Sequence, residues 1–119
     1  MTDHVSVDSA ALERLLEITG GDVGFLDELI DTYLDDAIVQ LEALRHGAAE
    51  GDAAGIVRPA HSLKSSSANV GAVALASMCR SLEADGAAGA VADAVARVAA
   101  AEREFDVVRT TLLEARSTR

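Results

Sequence analysis

From Phe25 to Leu44 the apolar residues fall at Phe25, Leu26, Leu29, Ile30, Tyr33, Leu34, Ala37, Ile38, Leu41 and Leu44. Steps of three and four trace one stripe along an α-helix; a strand, with its period of two, would scatter these residues over both faces. A helix this long with one apolar side is unstable alone, so the chain must supply other helices to cover it. Asp27, Glu28, Asp31, Asp35 and Asp36 fill the opposite side. That acidic run reads as a solvated helix face, because it has neither the spacing of an EF-hand loop nor paired histidine ligands.

The covering helices are legible in the same way. Asp8 or Ser9 caps a short helix to about Ile18, with Ala11, Leu12, Leu15 and Leu16 on one side and Gly20-Gly21 after it. Asp22 caps the long helix, which runs to about Ala49. Asp52 caps a third, to about Asn69, with Ala53, Ile56, Val57, Ala60, Leu63 and Ser67 inward. Pro59 lies inside it, where proline removes one hydrogen bond and crowds the carbonyl of Gly55, so a kink or frayed first turn is expected between them. Gly71 breaks the chain before a fourth helix to about Ala84, with Ala72, Leu75, Ala76, Cys79 and Leu82 inward. Gly86 and Gly89 flank a turn, and Val91, Val95, Val98, Ala101, Phe105, Val108 and Leu112 mark a last helix from about Val91 to Arg116. The expected fold is all-α: an antiparallel up-down four-helix bundle with a short additional N-terminal helix. Residues 1–7 read as a flexible tail and 8–117 as one bundle domain, consistent with a length of 119 residues.

Charge narrows the partners. The formal net charge is −10, from 20 acidic and 10 basic residues. No basic patch is available to neutralise phosphates, so neither nucleic acid nor an anionic membrane surface is an expected partner. The longest nearly apolar run, Val70 to Met78, is too short to span a bilayer, and Thr2, Asp3 and His4 do not make a signal-peptide start. The single Cys79 cannot form an internal disulfide. A cytoplasmic, monomeric protein is the expectation, and the initial Met without a linker favours a free-standing chain.

Reactive chemistry concentrates at His61. Arg58, His61, Lys64, Ser65 and Ala68 lie near one another on a helix, at offsets of three and four. Lys64 is the only lysine in the chain, about 4.5 Å along the axis from the histidine. Imidazole, with an ordinary pKa of about 6.5, is largely neutral and nucleophilic at cellular pH. A phosphoryl group on the ring would find compensating charge on Lys64, with help from Arg58. Ser65 and Ala68 keep the surface low, which in-line transfer across an interface requires. By itself, an edge histidine beside a lysine is more often an ordinary surface pair. His4 in the tail and His46 near a helix end have no such surroundings and receive no catalytic role.

The stretch Ala60-His61-Ser62-Leu63-Lys64-Ser65-Ser66-Ser67-Ala68-Asn69-Val70-Gly71-Ala72 closely resembles the signature of histidine-containing phosphotransfer (HPt) domains of multistep phosphorelays. That pattern is roughly Ala-His-x-Leu-Lys-Gly-Ser-Ser/Ala-x-x-x-Gly-Ala. The likeness extends upstream to Phe25-Leu26-Asp27-Glu28-Leu29-Ile30 and downstream to Cys79 and Leu82-Glu83, covering nearly the whole chain. Ser65 departs from it, standing where glycine is commonest.

The resemblance implies that His61 is the phosphoryl acceptor and that Lys64 stabilises the phosphoryl charge. It implies that Glu83 faces the histidine and orients its imidazole. It also implies a phosphorelay intermediate, fed by an aspartyl phosphate on a receiver domain and discharging to another response-regulator receiver, with a hybrid sensor histidine kinase upstream. Such a protein has no cofactor of its own, and Mg²⁺ is expected on the receiver. No Gly-rich nucleotide loop is present, so autokinase activity is not expected. The docking surface is expected around Arg58, Ser65 and Ala68, with Ile18 and Phe25 as apolar members. The alternative is a non-transferring helical module that binds a receiver; a metal- or acid/base-dependent enzyme is disfavoured because a thin alanine-rich bundle has little room for a pocket.

Overall fold

The computed structural model describes residues 6–117, and all of its regular structure there is helical. The elements are α1 (Ser9–Ile18), α2 (Val23–Glu50), α3 (Ala53–Asn69), α4 (Val73–Ala87) and α5 (Ala94–Ser117). The all-helical expectation is borne out. Residues 1–5 of the expected tail lie outside the described residues, whereas Val7 is half-buried against the core.

The helix starts are where short acidic side chains can satisfy free amides. Asp8 accepts from the Ala10 amide, Asp22 from Phe25 and Asp52 from Gly55, each at 3.0 Å. The Asp52 cap holds the first turn of α3, and the helix continues unbroken through Pro59. The expected fraying is therefore absent. Gly55 contributes by having no side chain: a Cβ there would sit 2.5 Å from the Asp52 carboxylate.

Two boundaries differ from the sequence reading. α4 runs past Ala84 to Ala87, and α5 begins at Ala94 rather than Val91. The reason is Gly86, which lies inside α4 and faces α3 instead of flanking the turn. A Cβ on it would meet the Ala53 carbonyl oxygen at 3.0 Å and Val57 Cγ2 at 3.1 Å. Gly86 is thus a packing residue, and the chain turns later, at Gly89.

α3 is the central element. α4 covers one side of it and α2 the other, while α5 packs on both α2 and α4. Contacts pair early residues of one helix with late residues of the next. Gly47 lies against Gly55 and Ile56, whereas Tyr33 meets Ser67. Arg45 pairs with Glu102, and Arg116 with Asp31. α1 is tied at its start, where the Asp8 amide donates to the Gly71 carbonyl at 2.7 Å. Gly71 has φ +79°, and a Cβ there would lie 2.7 Å from both Asp8 O and Ala11 Cβ, so both backbone conformation and space demand glycine.

Ile30, Leu44, Ile56, Leu63, Leu75, Val98, Val108 and Leu112 are completely buried or nearly so. Three expected members of the apolar stripes, Phe25, Ile38 and Val95, are exposed instead. The long helices need only a narrow buried stripe, and these residues fall at its edges. Cys79 is fully buried, and burial pushes its thiol up to about 12, which makes it inert packing.

Inside the core, the Tyr33 hydroxyl and Ser67 Oγ share a hydrogen bond of 2.9 Å between α2 and α3. The Tyr33 ring also packs on Phe105 of α5, with centroids 6.3 Å apart. Burial pushes the phenol up to about 12, against the opposing pull of the Ser67 bond. Ser67→Ala leaves a buried phenol without its partner, and an unfolding free-energy loss of about 1–3 kcal/mol is expected. Tyr33→Phe is expected to cost less, because the Ser67 hydroxyl can turn to a carbonyl of its own helix. The double variant should then lose less than the two single losses combined. Urea unfolding of the four proteins measures this, and simple additivity would show that the hydrogen bond contributes nothing.

Candidate functional site

The neighbouring α3 and α4 bring together residues 22 positions apart. His61 lies on the outward side of α3, with 60% of its side chain exposed. Glu83 projects from α4, one helical turn before the Gly86 contact. Its Oε2 lies 2.8 Å from His61 Nδ1, and its Oε1 accepts from Lys64 Nζ at 2.6 Å. One carboxylate therefore bridges the two residues of α3 that the sequence singled out.

This arrangement fixes the proton on the ring. An ionised carboxylate only accepts, so Nδ1 carries the hydrogen and donates it to Glu83. Nε2 is then the lone-pair nitrogen of the neutral ring. The hydrogen bond from Lys64, followed by that from His61, holds the Glu83 carboxyl below the usual carboxylate range and keeps it ionised.

Lys64 is not where the sequence alone would put it. It was expected to stand ready as a charge partner at the histidine, but its ammonium group is engaged by Glu83, and its side chain is only 26% exposed. The sequence places Lys64 and His61 on one helix face; which carboxylate comes between them depends on the α3–α4 register. Arg58, Ser65 and Ala68 are exposed on the same outward side of α3 as His61.

Ile18 and Phe25 are exposed, at 81% and 47%. The structure does not bring Phe25 to the imidazole. Since Tyr33 is level with Ser67, Phe25 lies beyond the end of α3, roughly 20 Å along the axis from His61 at 1.5 Å per residue. Nearer apolar surface is found in an open groove of about 420 Å³ between α1, α2 and α3, lined by Leu15, Leu29, Tyr33, Ser66, Asn69 and Val70 among others. Sequence reasoning missed this groove; Leu15 and Leu29 sit on stripes read simply as core.

Among the described residues, no group of three or more His, Cys, Asp and Glu side chains is arranged to hold a metal ion. No described helix is long and apolar enough to cross a membrane.

The model of the Hpt domain family matches residues 28–117. The chain belongs to the Hpt domain family. It is similar to histidine-containing phosphotransfer protein B (HptB) from Pseudomonas aeruginosa PAO1, a solved crystal structure. The two are 32% identical, the alignment covers 98% of this chain and 99% of the other, and the TM-score is 0.89. No curated protein matches by sequence. As an Hpt domain, the chain has a histidine phosphotransfer role in phosphorelays, as an intermediate and not a kinase. The resemblance read from the His61 stretch is thereby borne out.

The Glu83 bridge has a definite pH signature. A carboxyl with a lowered folded-state pKa contributes stability that is present above the ordinary value of about 4.3 and is lost as pH falls through the folded value. An NMR titration of the Glu83 carboxyl carbon is expected to show a midpoint below that ordinary value. Lys64→Ala should return most of the shift and His61→Ala the smaller part. A midpoint at the ordinary value in the wild type would mean that the bridge does not persist in solution.

Proposed function

We propose that this protein is a phosphorelay intermediate in which His61 accepts a phosphoryl group from the aspartyl phosphate of one receiver domain and passes it to another response-regulator receiver. The observation that carries this reading is the hydrogen bond from His61 Nδ1 to Glu83, which leaves Nε2 free on an exposed edge. In the forward step the Nε2 lone pair attacks phosphorus in line. The N–P bond forms as the P–O bond to the receiver's aspartate breaks, and the electron pair returns to that carboxylate. Nδ1 keeps its hydrogen, and the positive charge gained by the ring lies beside the Glu83 carboxylate. No proton has to leave the site.

Each residue then has a role. His61 is the acceptor, Glu83 orients the imidazole, and Lys64 offers charge to the phosphoryl oxygens. Arg58, Ser65 and Ala68 form the surrounding docking face, with the groove at Leu29 and Val70 as its apolar extension. Ser65 is small enough to replace the family's usual glycine without blocking approach. The receiver brings Mg²⁺ and most of the stabilisation of the transferring group, and a hybrid sensor histidine kinase stands upstream. We read the four long helices as an antiparallel up-down bundle, supported by the paired contacts between their opposite ends. The protein acts in this reading as a cytoplasmic monomer.

Incubation with phosphorylated receiver domains is expected to label the protein with acid-labile, base-stable phosphate at His61. His61→Gln should abolish labelling while retaining receiver binding. Failure to take phosphate from any receiver of the organism would overturn the proposal, and binding without transfer would assign the chain to the non-transferring class.

A further inference from the structure

The geometry points to Glu83 as a positioning residue that also sets the direction of transfer, by competing with the phosphoryl group for Lys64. This rests on His61 being the phosphoryl acceptor. The free protein does not hold Lys64 open: its ammonium donates to Glu83 Oε1 at 2.6 Å, while Oε2 of the same carboxylate holds His61 Nδ1 at 2.8 Å. Lys64 is the only lysine in the chain. Phosphorylation of Nε2 therefore demands an exchange, in which the ammonium leaves a carboxylate oxygen for a phosphoryl oxygen.

Charge gives the exchange its sign. Transfer of a phosphoryl group adds one unit of net negative charge to a site already holding the Glu83 carboxylate. Glu83 is held ionised, with Lys64 the larger cause. The added charge is disfavoured twice, by repulsion from Glu83 and by the loss of the Lys64–Glu83 pair. The opposing contribution is attraction between Glu83 and the charged ring of the phosphohistidine, which acts at shorter range. The two negative charges beyond the ring and the lost Lys64–Glu83 pair together outweigh it in the proposed balance. Glu83 thus fixes which nitrogen reacts and, at the same time, keeps the phosphorylated state from becoming a resting place.

Replacing Glu83 by glutamine tests this. The amide oxygen can still accept from Nδ1–H, but the negative charge is gone. The measurement is the equilibrium partition of phosphate between this protein and a phosphorylated receiver, for wild type, Glu83→Gln, Lys64→Ala and the double variant. The site is partly exposed and screened, so effects of about two- to fivefold are expected. Glu83→Gln should shift the partition toward phosphohistidine, and Lys64→Ala away from it. The Lys64 effect should be larger in the Glu83→Gln background, where no carboxylate competes. An unchanged or opposite partition in Glu83→Gln, or an equal Lys64 effect in both backgrounds, would overturn the inference.

A second measurement separates this inference from the receiver reading. Phosphoramidate donates a phosphoryl group to imidazole with loss of ammonia and needs no receiver. NMR of the protein labelled in this way should show the Lys64 ammonium moving from Glu83 to the phosphoryl group. Unchanged Lys64–Glu83 contact would overturn the exchange even if receivers transfer phosphate normally. Exchange without transfer from any receiver would leave the inference standing and remove the relay.

Discussion

The site depends on how closely α3 and α4 approach. Glu83 reaches both His61 and Lys64 because the helices carrying them are nearly in backbone contact one turn away. Gly86 makes this possible: a Cβ on it would meet the Ala53 carbonyl oxygen at 3.0 Å, tighter than ordinary contact. A side chain there would require α3 and α4 to give by a few tenths of an ångström, apart or along one another. Either movement would separate a carboxylate from partners at 2.8 and 2.6 Å, where a few tenths of an ångström matter. Packing and chemistry are therefore linked through one glycine.

The other side of α3 is held by different means. Gly47 of α2 is close enough that a Cβ would meet Ile56 at 3.2 Å. The buried Tyr33–Ser67 bond adds direction to that contact. Apolar packing alone tolerates some rotation of a helix about its axis, whereas a buried hydroxyl pair is satisfied over a narrow range. With Ser67 turned inward to meet Tyr33, His61 six residues earlier faces outward. The rotation that presents the imidazole is thus fixed from within the core, about 120° around α3 from the reactive side.

Much of this was legible in the residues. Acidic caps at Asp8, Asp22 and Asp52 mark helix starts because a free amide and a short carboxylate make the same local bond in any fold. The period of the apolar residues gives the helices, and the Ala60–Ala72 stretch gives the reaction. What stayed hidden depends on register between elements. Gly86 looks like a turn glycine until α3 is seen against it. Lys64 looks free until Glu83 is found paired with it. Phe25, Ile38 and Val95 follow the apolar period but lie at the margins of stripes whose width only the neighbouring helices determine. Pro59 argues for a kink or frayed turn by local rules; with Gly55 and the Asp52 cap, the first turn of α3 is held and does not fray.

If His61 carries the phosphoryl group as proposed, the electrostatics suit a carrier that must both accept and release. A site built only to accept would surround His61 with unpaired cations. Here the formal charge of the whole chain is −10, and the one lysine is already matched to a carboxylate. Each element that helps the imidazole attack also limits how stable the product becomes. Glu83 exposes Nε2 by holding Nδ1, yet its charge opposes the incoming phosphoryl group. Lys64 favours that group, yet must first leave a bond of its own. In the proposed function, a deeper well at His61 would trap the phosphate, so the bridge would confer a reversibility that three independent residues would not.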